Sequence, residues 1–500
     1  MPPSDTKDIE IPVAEKADPN FLPIKDGDAA LEFLRTEGAT GEILEVDEKA
    51  LVRKIDWMIM PLMFGCYCLQ YLDKTLINYA AVMGLFEDVN IDTNQFSDLA
   101  WVFYVSYLAF EFPHGYGMQH FPTAKYIGTM VICWGIVVAA TSACSTYAGL
   151  IVTRVLLGVF ESAIAPSLIL ITGMWYKKKE QPPRMGIWYC GTAVGTVVGS
   201  LMSFDFQHYD SLTFTSWQIM FLVVGLLTTA IGILVVFFLP DNPMSSRLSH
   251  AEKVLAIERL RSNQTGIENV HFKRRQALEC FRDPQAWLLS AVVIASNVPN
   301  GAVSSYQATI IKNFGYSSKT TALLYVPSGG VALVSIVGAV LLAGRWDQRG
   351  VPAIVPLVPG VLGGCLMAFL PPGNKAGKLA GIWMINAVGA TLPLTYAWVA
   401  ANFAGHTKKV TMNAMLLMSF CLANIIGPLT FRNEDAPDYY PAKVVIVAAT
   451  SIAIGFIVAL RFYYIWENKR RDRRGRESHE KDVAFLDLTD RENVEFRYRL

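Results

Sequence analysis

Charge is scarce in this chain, and it is missing in blocks. Asp, Glu, Lys and Arg make up 17% of the 500 residues, and the stretches between charges are long. A soluble protein of this length rarely shows such values, so the composition argues against a soluble fold. Histidine (7) and cysteine (8) are few as well. Cys66, Cys68, Cys133, Cys190, Cys365 and Cys421 fall inside apolar blocks without metal-ligand or CxxC spacing, so they read as small apolar residues, not as ligands or disulfides. His114, His208 and His406 have no metal-like neighbours. No nucleotide-binding loop, zinc motif or nucleophile elbow occurs, which argues against an ATP-driven pump and against an intramembrane enzyme. The first fifty residues lack a basic segment followed by an apolar core, so no cleavable signal peptide is expected and the first helix must serve as the targeting signal.

What fills the chain is apolar: 52% hydrophobic residues, with 37 glycines and 27 phenylalanines. Twelve blocks centre near Phe64, Tyr104, Cys133, Gly158, Ala193, Leu227, Asn297, Val331, Val361, Ala390, Leu422 and Ala453. Each is roughly 18–25 residues long, the length a tilted helix needs to cross the hydrocarbon of a bilayer. The fold class is therefore an all-α membrane protein with twelve transmembrane helices. The net charge is zero, but Arg53-Lys54, Lys125, Lys177-Lys178-Lys179, Arg184, Arg345, Arg349, Lys408-Lys409 and the run Lys469 to Arg476 fall in every second loop. Glu87-Asp88, Asp205, Asp210 and Glu434-Asp435 occupy the others, with scattered lysines such as Lys312 and Lys375. The positive-inside rule then places both termini in the cytoplasm. The basic stretches are topology signals, not nucleic-acid patches.

Six spans end at Leu239, where Leu-Pro-Asp-Asn-Pro stops the helix, and a polar segment leads to the seventh at Trp287. Periodicity from Ala251 to Arg261 predicts short amphipathic helices at the cytoplasmic face. The expected organisation is a cytoplasmic tail (1–56), a six-helix bundle (57–239), a cytoplasmic linker (240–286), a second six-helix bundle (287–466) and a cytoplasmic tail (467–500). A weak internal repeat agrees: the loop Gly344 to Gly350, with Asp347 and Arg349, stands after span eight where Gly117 to Lys125 stands after span two. Asn263-Gln264-Thr265 matches a glycosylation sequon, but its cytoplasmic placement argues against modification.

The most informative residues are the charges inside spans. Arg154 and Glu161 lie seven positions apart on one helical face, about 10 Å along the axis. Asp73-Lys74 interrupts the first span and Glu111 the second. Such charges are costly in lipid and usually face a bundle interior or an aqueous cavity. They are either static ion pairs that fix helix packing or the proton- and anion-handling centre of a transporter. Asp73 and Glu161 are the candidate proton carriers, since a desolvated carboxyl titrates closer to neutrality. Arg154, with bidentate geometry, and Lys74, a point charge, are candidates for binding an anion or balancing a carboxylate; the sequence leaves both roles open for each. Glu111, just before Pro113, is either a gate or packing residue or a cavity group. Asn297, Asn300 and Gln307 of span seven and Asn386 and Tyr396 of span ten would form the opposite wall, although amides in lipid often only bond a neighbouring helix. Asn413 and Asn424 stand in span eleven. Pro299 and Gly301 suggest a broken helix at that wall. Gly191, Gly195 and Gly199 form a close-packing face in span five, for helix apposition or for rocking.

Motifs in order along nearly the whole chain carry a resemblance. They include Leu72-Asp73-Lys74 with Ile77-Asn78-Tyr79-Ala80, Phe110-Glu111-Phe112-Pro113, Arg154 with Leu157-Gly158, Glu161 and Pro166, and Met174-Trp175-Tyr176-Lys177. Ser296 to Gly301, Trp398 to Lys409, Asn424 with Gly427-Pro428, and the tail Asp487 to Tyr498 follow. Together they resemble the major facilitator superfamily, and within it the fungal allantoate-permease branch of the anion:cation symporters. One departure is the loop Gly117 to Lys125, which lacks the superfamily's Asp-Arg pair; Asp347 and Arg349 then remain as gating candidates with Glu111. The resemblance implies a monomeric, proton-coupled permease of the cell membrane that imports a small organic anion, such as nicotinate, allantoate or another carboxylate vitamin. It also implies proton coupling at Asp73 and Glu161, and no cofactor beyond the proton gradient. An exporter of secondary metabolites is the alternative on the same scaffold, although Asp73, Glu161 and Arg154 together favour import. A nutrient-sensing receptor is disfavoured by the short termini.

Overall fold

In a bilayer every backbone N–H and C=O must find its partner within the segment, and each apolar block accordingly folds as a helix. The computed structural model describes residues 47–177, 180–209, 214–261, 273–346, 348–473, 489–493 and 496–500. Outside the described residues lie the first forty-six, Lys178, Lys179, Asp210, the sequon Asn263-Gln264-Thr265, Asp347 and the 474–488 stretch with its part of the tail motif. The twelve spans, numbered here in chain order, are Glu48–Val82, Thr93–His120, Thr123–Thr141, Tyr147–Trp175, Pro183–Phe206, Ser216–Phe238, Pro284–Asn313, Ser318–Trp346, Gly350–Phe369, Lys375–Asn402, His406–Leu429 and Tyr440–Arg473. No strand occurs among the described residues. Ten of the spans are long and apolar enough to cross a membrane; the first two, which hold Asp73, Lys74 and Glu111, are more polar. Local signals start several of them. Asp92 with Gln95 and Thr215 with Gln218 form capping boxes at the second and sixth spans, satisfying end-of-helix donors reciprocally.

The sequence places a helix break in span seven, and the structure places the breaks elsewhere. Pro284–Asn313 runs through Pro299 as one helix. Spans four, five, nine and ten are interrupted after Glu161, at Cys190, at Val355-Pro356 and over the 3-10 turn Asn386–Ala390. The breaks in spans four, nine and ten each end three residues before a proline, namely Pro166, Pro359 and Pro393, whose ring clashes with the carbonyl four residues back and which lacks an N–H donor.

Spans one to six and seven to twelve form two halves. Within the first half, Gly191, Gly195 and Gly199 press span five onto span one: a Cβ on Gly195 would lie 2.7 Å from the Cys68 carbonyl oxygen. An even number of spans puts both described chain ends on one face. There the helix His250–Arg261 docks on the first half, through Lys54 to Glu252 (2.7 Å) and Arg259 to Glu48 (2.9 Å) and Glu180 (2.7 Å). The helix Arg274–Phe281 and residues 489–493 and 496–500 cap the second half. Buried Lys408 gathers Glu279, Asp283 and Asp490 at 2.7–2.9 Å, Arg471 bonds the Asp490 and Phe496 carbonyls, and the Arg499 carbonyl accepts from Trp398 and Asn402. Over 489–493 and 496–500 the C-terminal segment is thus a strap folded onto the helix ends.

At the opposite face the halves seal against each other. Tyr306 stacks on Phe431 (4.2 Å between ring centres, 4° between planes) and pairs its hydroxyl with Ser97 and the Thr93 carbonyl. Asn78 accepts from the Ala308 N–H (2.9 Å) and donates to the Tyr325 hydroxyl (3.2 Å).

Candidate functional site

Midway between the faces the two halves enclose a small cavity of about 40 Å³, partly open to solvent. Tyr71 of span one and Tyr189, Thr192 and Thr196 of span five line one wall; Asn300, Val303 and the 3-10 turn around Asn386 and Gly389 line the other. The Tyr189 hydroxyl reaches across to the Gly389 carbonyl (3.3 Å), a group exposed by the break in span ten. A polar thread runs along this seam. Asn424 Oδ1 accepts from both Lys74 Nζ and Asn300 Nδ2 at 3.2 Å, Asn386 Nδ2 donates to Gln307 Oε1 (3.1 Å), and Gln307 Nε2 donates to Ser328 Oγ.

Asp73 and Lys74 are neighbours in sequence and part company in space. Consecutive residues on a helix point about 100° apart, so one faces the interior of the first half and the other its partner half. Asp73 is 1% exposed; its Oδ2 accepts from Thr228 of span six (3.5 Å), and its Oδ1 has no hydrogen-bond partner. The Trp134 indole N–H, also unpartnered, stands beside it, and Arg154, lying over the Phe221 ring at 5.7 Å, is the cation whose charge reaches it. Lys74 is only partly buried. Its ammonium sits 5.5–5.8 Å from the rings of Tyr71, Tyr104 and Phe420, an aromatic enclosure drawn from both halves. Glu161, at the break in span four, is 2% exposed with Oε2 unpartnered, within the fields of Lys74, Arg154 and Asp73. No ion pair closer than 4.0 Å among the described residues involves any of these four charges. The direct ion pairs that spacing suggests are therefore not formed in this conformation.

The remaining candidates divide. Asn300, Gln307 and Asn386 lie on the seam, whereas Asn297 turns back to its own helix, donating to the Val293 carbonyl (2.9 Å) and away from the cavity. Glu111 is partly exposed and its charge reaches Tyr107, Tyr396 and Cys421, so it faces spans ten and eleven together with Tyr396. Arg349 holds the Ala343 carbonyl (2.9 Å) and, through its backbone N–H, the Leu500 carbonyl (2.7 Å). These bonds stay within the second half. Asp347 lies outside the described residues. Sequence reasoning passed over Tyr71, Tyr189, Thr192, Thr196 and Asn78; the signal available was the Lys74–Asn78 spacing of four, which puts both on one helix face.

Twelve spans in two halves around a mid-membrane polar cavity match a known architecture. The model of the Major Facilitator Superfamily matches residues 63–428. The chain belongs to this superfamily. Among its relatives are the thiamine pathway transporter THI73 of Saccharomyces cerevisiae, 36% identical over 95% of this chain and 94% of that protein, and the allantoate permease of the same yeast, 34% identical over 93% and 89%. Among solved structures, a D-xylose-proton symporter (TM-score 0.61, 13% identity, 80% of this chain and 97% of that one) and a bacterial homologue of the lysosomal transporter Spinster (TM-score 0.60, 17% identity, 80% and 96%) share the fold. This superfamily member is a multi-pass membrane transporter of the allantoate-permease branch, and not an enzyme.

Proposed function

We propose that this protein is a proton-coupled permease of the cell membrane that imports a small organic anion by alternating access, with the termini-bearing face in the cytoplasm. The observation that carries the reading is the separation of charges at the cavity. Lys74 makes one side-chain hydrogen bond among the described residues, to Asn424 on the seam, and no described carboxylate lies within 4.0 Å of it. A substrate carboxylate leaving water needs such a fixed cation, and the amides of Asn300, Asn386 and Asn424 supply neutral partners for the rest of a small polar anion. Asp73 and Glu161 keep an unpartnered buried oxygen each, the place a proton would occupy. Arg154 sits with Asp73, whereas Lys74 shares Asn424 with the cavity-lining Asn300, so on this reading Arg154 balances the proton carriers while Lys74 meets substrate. Glu161 lies within the fields of both cations and would couple the two events. The allantoate permease among the relatives is in keeping with a carboxylate substrate.

The test is radiolabelled uptake of allantoate, nicotinate and pantothenate in a permease-deficient yeast at acid and neutral external pH. Acid-stimulated uptake by the wild type, lost in Glu161→Gln at unchanged surface expression, is the expected result. Uptake of a substrate that persists unchanged in Glu161→Gln at both pH values would remove Glu161 from the coupling, and efflux from preloaded cells would favour export.

A further inference from the structure

At the face opposite the termini, spans seven, ten and twelve bring together a cluster of lysines, none of which lines the central cavity. Lys378 of span ten and Lys443 of span twelve are 7% and 5% exposed. Their ammonium nitrogens each lie 5.8 Å from the centre of one ring, that of Phe314 at the end of span seven. Neither makes an ion pair or a side-chain hydrogen bond among the described residues, and each feels the other's repulsion. The single carboxylate whose charge reaches Lys443 is Asp438, which is itself exposed to solvent. Lys375 completes the rim, over the Tyr316 ring at 5.6 Å. It comes close because Gly315 adopts a left-handed turn (φ +89°) with no side chain: a Cβ there would stand 2.8 Å from the lysine nitrogen.

Two like charges buried together without a counter-ion are unfavourable, and a ring face offsets only part of the lost hydration. An oxyanion seated between the ammoniums would remove the repulsion and supply the missing acceptors. We infer that Lys378, Lys443 and Lys375 form an anion-binding site over Phe314 that takes a carboxylate or phosphate group, distinct from the central cavity. With the termini in the cytoplasm this site opens on the extracellular side, where both a dissolved anion and the phosphate of an outer-leaflet lipid are at hand. It rests on the geometry of the second half and stands whichever substrate the central cavity takes.

The experiment is the thermal melting of the purified full-length protein, wild type beside Lys378→Gln, Lys443→Gln and Lys443→Arg. One arm compares inorganic phosphate with sodium chloride at matched ionic strength in an uncharged detergent. The other compares nanodiscs of phosphatidylcholine alone with nanodiscs that also contain phosphatidylglycerol. Since each glutamine removes a repulsion, the variants should fold at least as well as the wild type. The expected result is a Tm raised by a few degrees in the wild type and in Lys443→Arg and flat in both glutamine variants, as binding to the folded state alone requires. A rise in the phosphate arm alone assigns the site to a dissolved anion, and a rise in the nanodisc arm alone to a lipid headgroup. No rise in either arm, or an equal rise in the glutamine variants, overturns the proposal.

Discussion

Lys74 and Asp73 show how little separates two roles along a helix. One step of about 100° sends a carboxyl into a dry pocket with Thr228 and a cation into the seam with Asn424. On the proposed mechanism, Lys74 meets an anion through a charge-assisted bond, and such bonds contribute about 1.5–3 kcal/mol. Lys74→Gln should therefore raise KM for the transported anion roughly ten- to a hundredfold at similar surface expression, and Lys74→Arg should recover part of it. Initial-rate uptake over a range of substrate concentrations checks this. A Lys74→Gln variant with unchanged KM would leave Lys74 as a packing residue.

At the scale of elements, close approach and helix ends decide what the cavity looks like. Span five reaches span one through glycines, so Gly195→Val drives a branched side chain against the Cys68 carbonyl oxygen. Overpacking of this kind costs about 1–3 kcal/mol. The expected outcome is a lower melting temperature and a loss of monodisperse protein in gel filtration, with no comparable effect from a valine at Gly389, whose Cβ would meet open space. On the termini-bearing face, Lys54 with the Ser249 backbone holds the Glu252 carboxyl below its usual range. A depressed carboxyl stabilises the docked state above the ordinary value of 4.5 and ceases to do so as pH falls through its own lower value. The helix His250–Arg261 should thus stay protected from proteolysis at neutral pH and become cleavable as the medium is acidified below about 4.5. Lys54→Gln should bring that release to a higher pH.

For the molecule as a whole, alternating access on the proposed mechanism asks each half to move as a body. Residues 489–493 and 496–500 tie the ends of spans seven, ten, eleven and twelve through Lys408, Asp283, Asp490 and Arg471, and on that mechanism the strap would hold the second half together. Removing one partner of a buried ionic cluster costs about 3–5 kcal/mol because the other charges are left uncompensated. Cys280 reports on it, being fully buried beneath the cluster with its thiol pushed up to about 12 by that burial. In the intact protein a maleimide should leave Cys280 unlabelled, and in Lys408→Met it should react at a measurable rate. Mass spectrometry of the labelled peptide distinguishes the outcomes, and a Cys280 as silent in Lys408→Met as in the wild type would show that the cluster does not hold the strap.

Twelve spans, the helical class, the two-half organisation and the residues that repay attention were all readable in the chain, because lipid imposes its demands one segment at a time. A block of apolar residues must be a helix of a given length, and a charge within it must find something to face. What the chain could not say is which way each charge faces. Asp73 against Lys74 and Asn300 against Asn297 depend on rotation about each axis. That rotation is set by neighbours hundreds of residues away, such as Thr228 and Asn424. The strap follows the same logic: its polar sequence reads only as a cytoplasmic tail until the carboxylates of Glu279 and Asp283 and the ammonium of Lys408, scattered along the chain, are brought to one place by the packing of the spans.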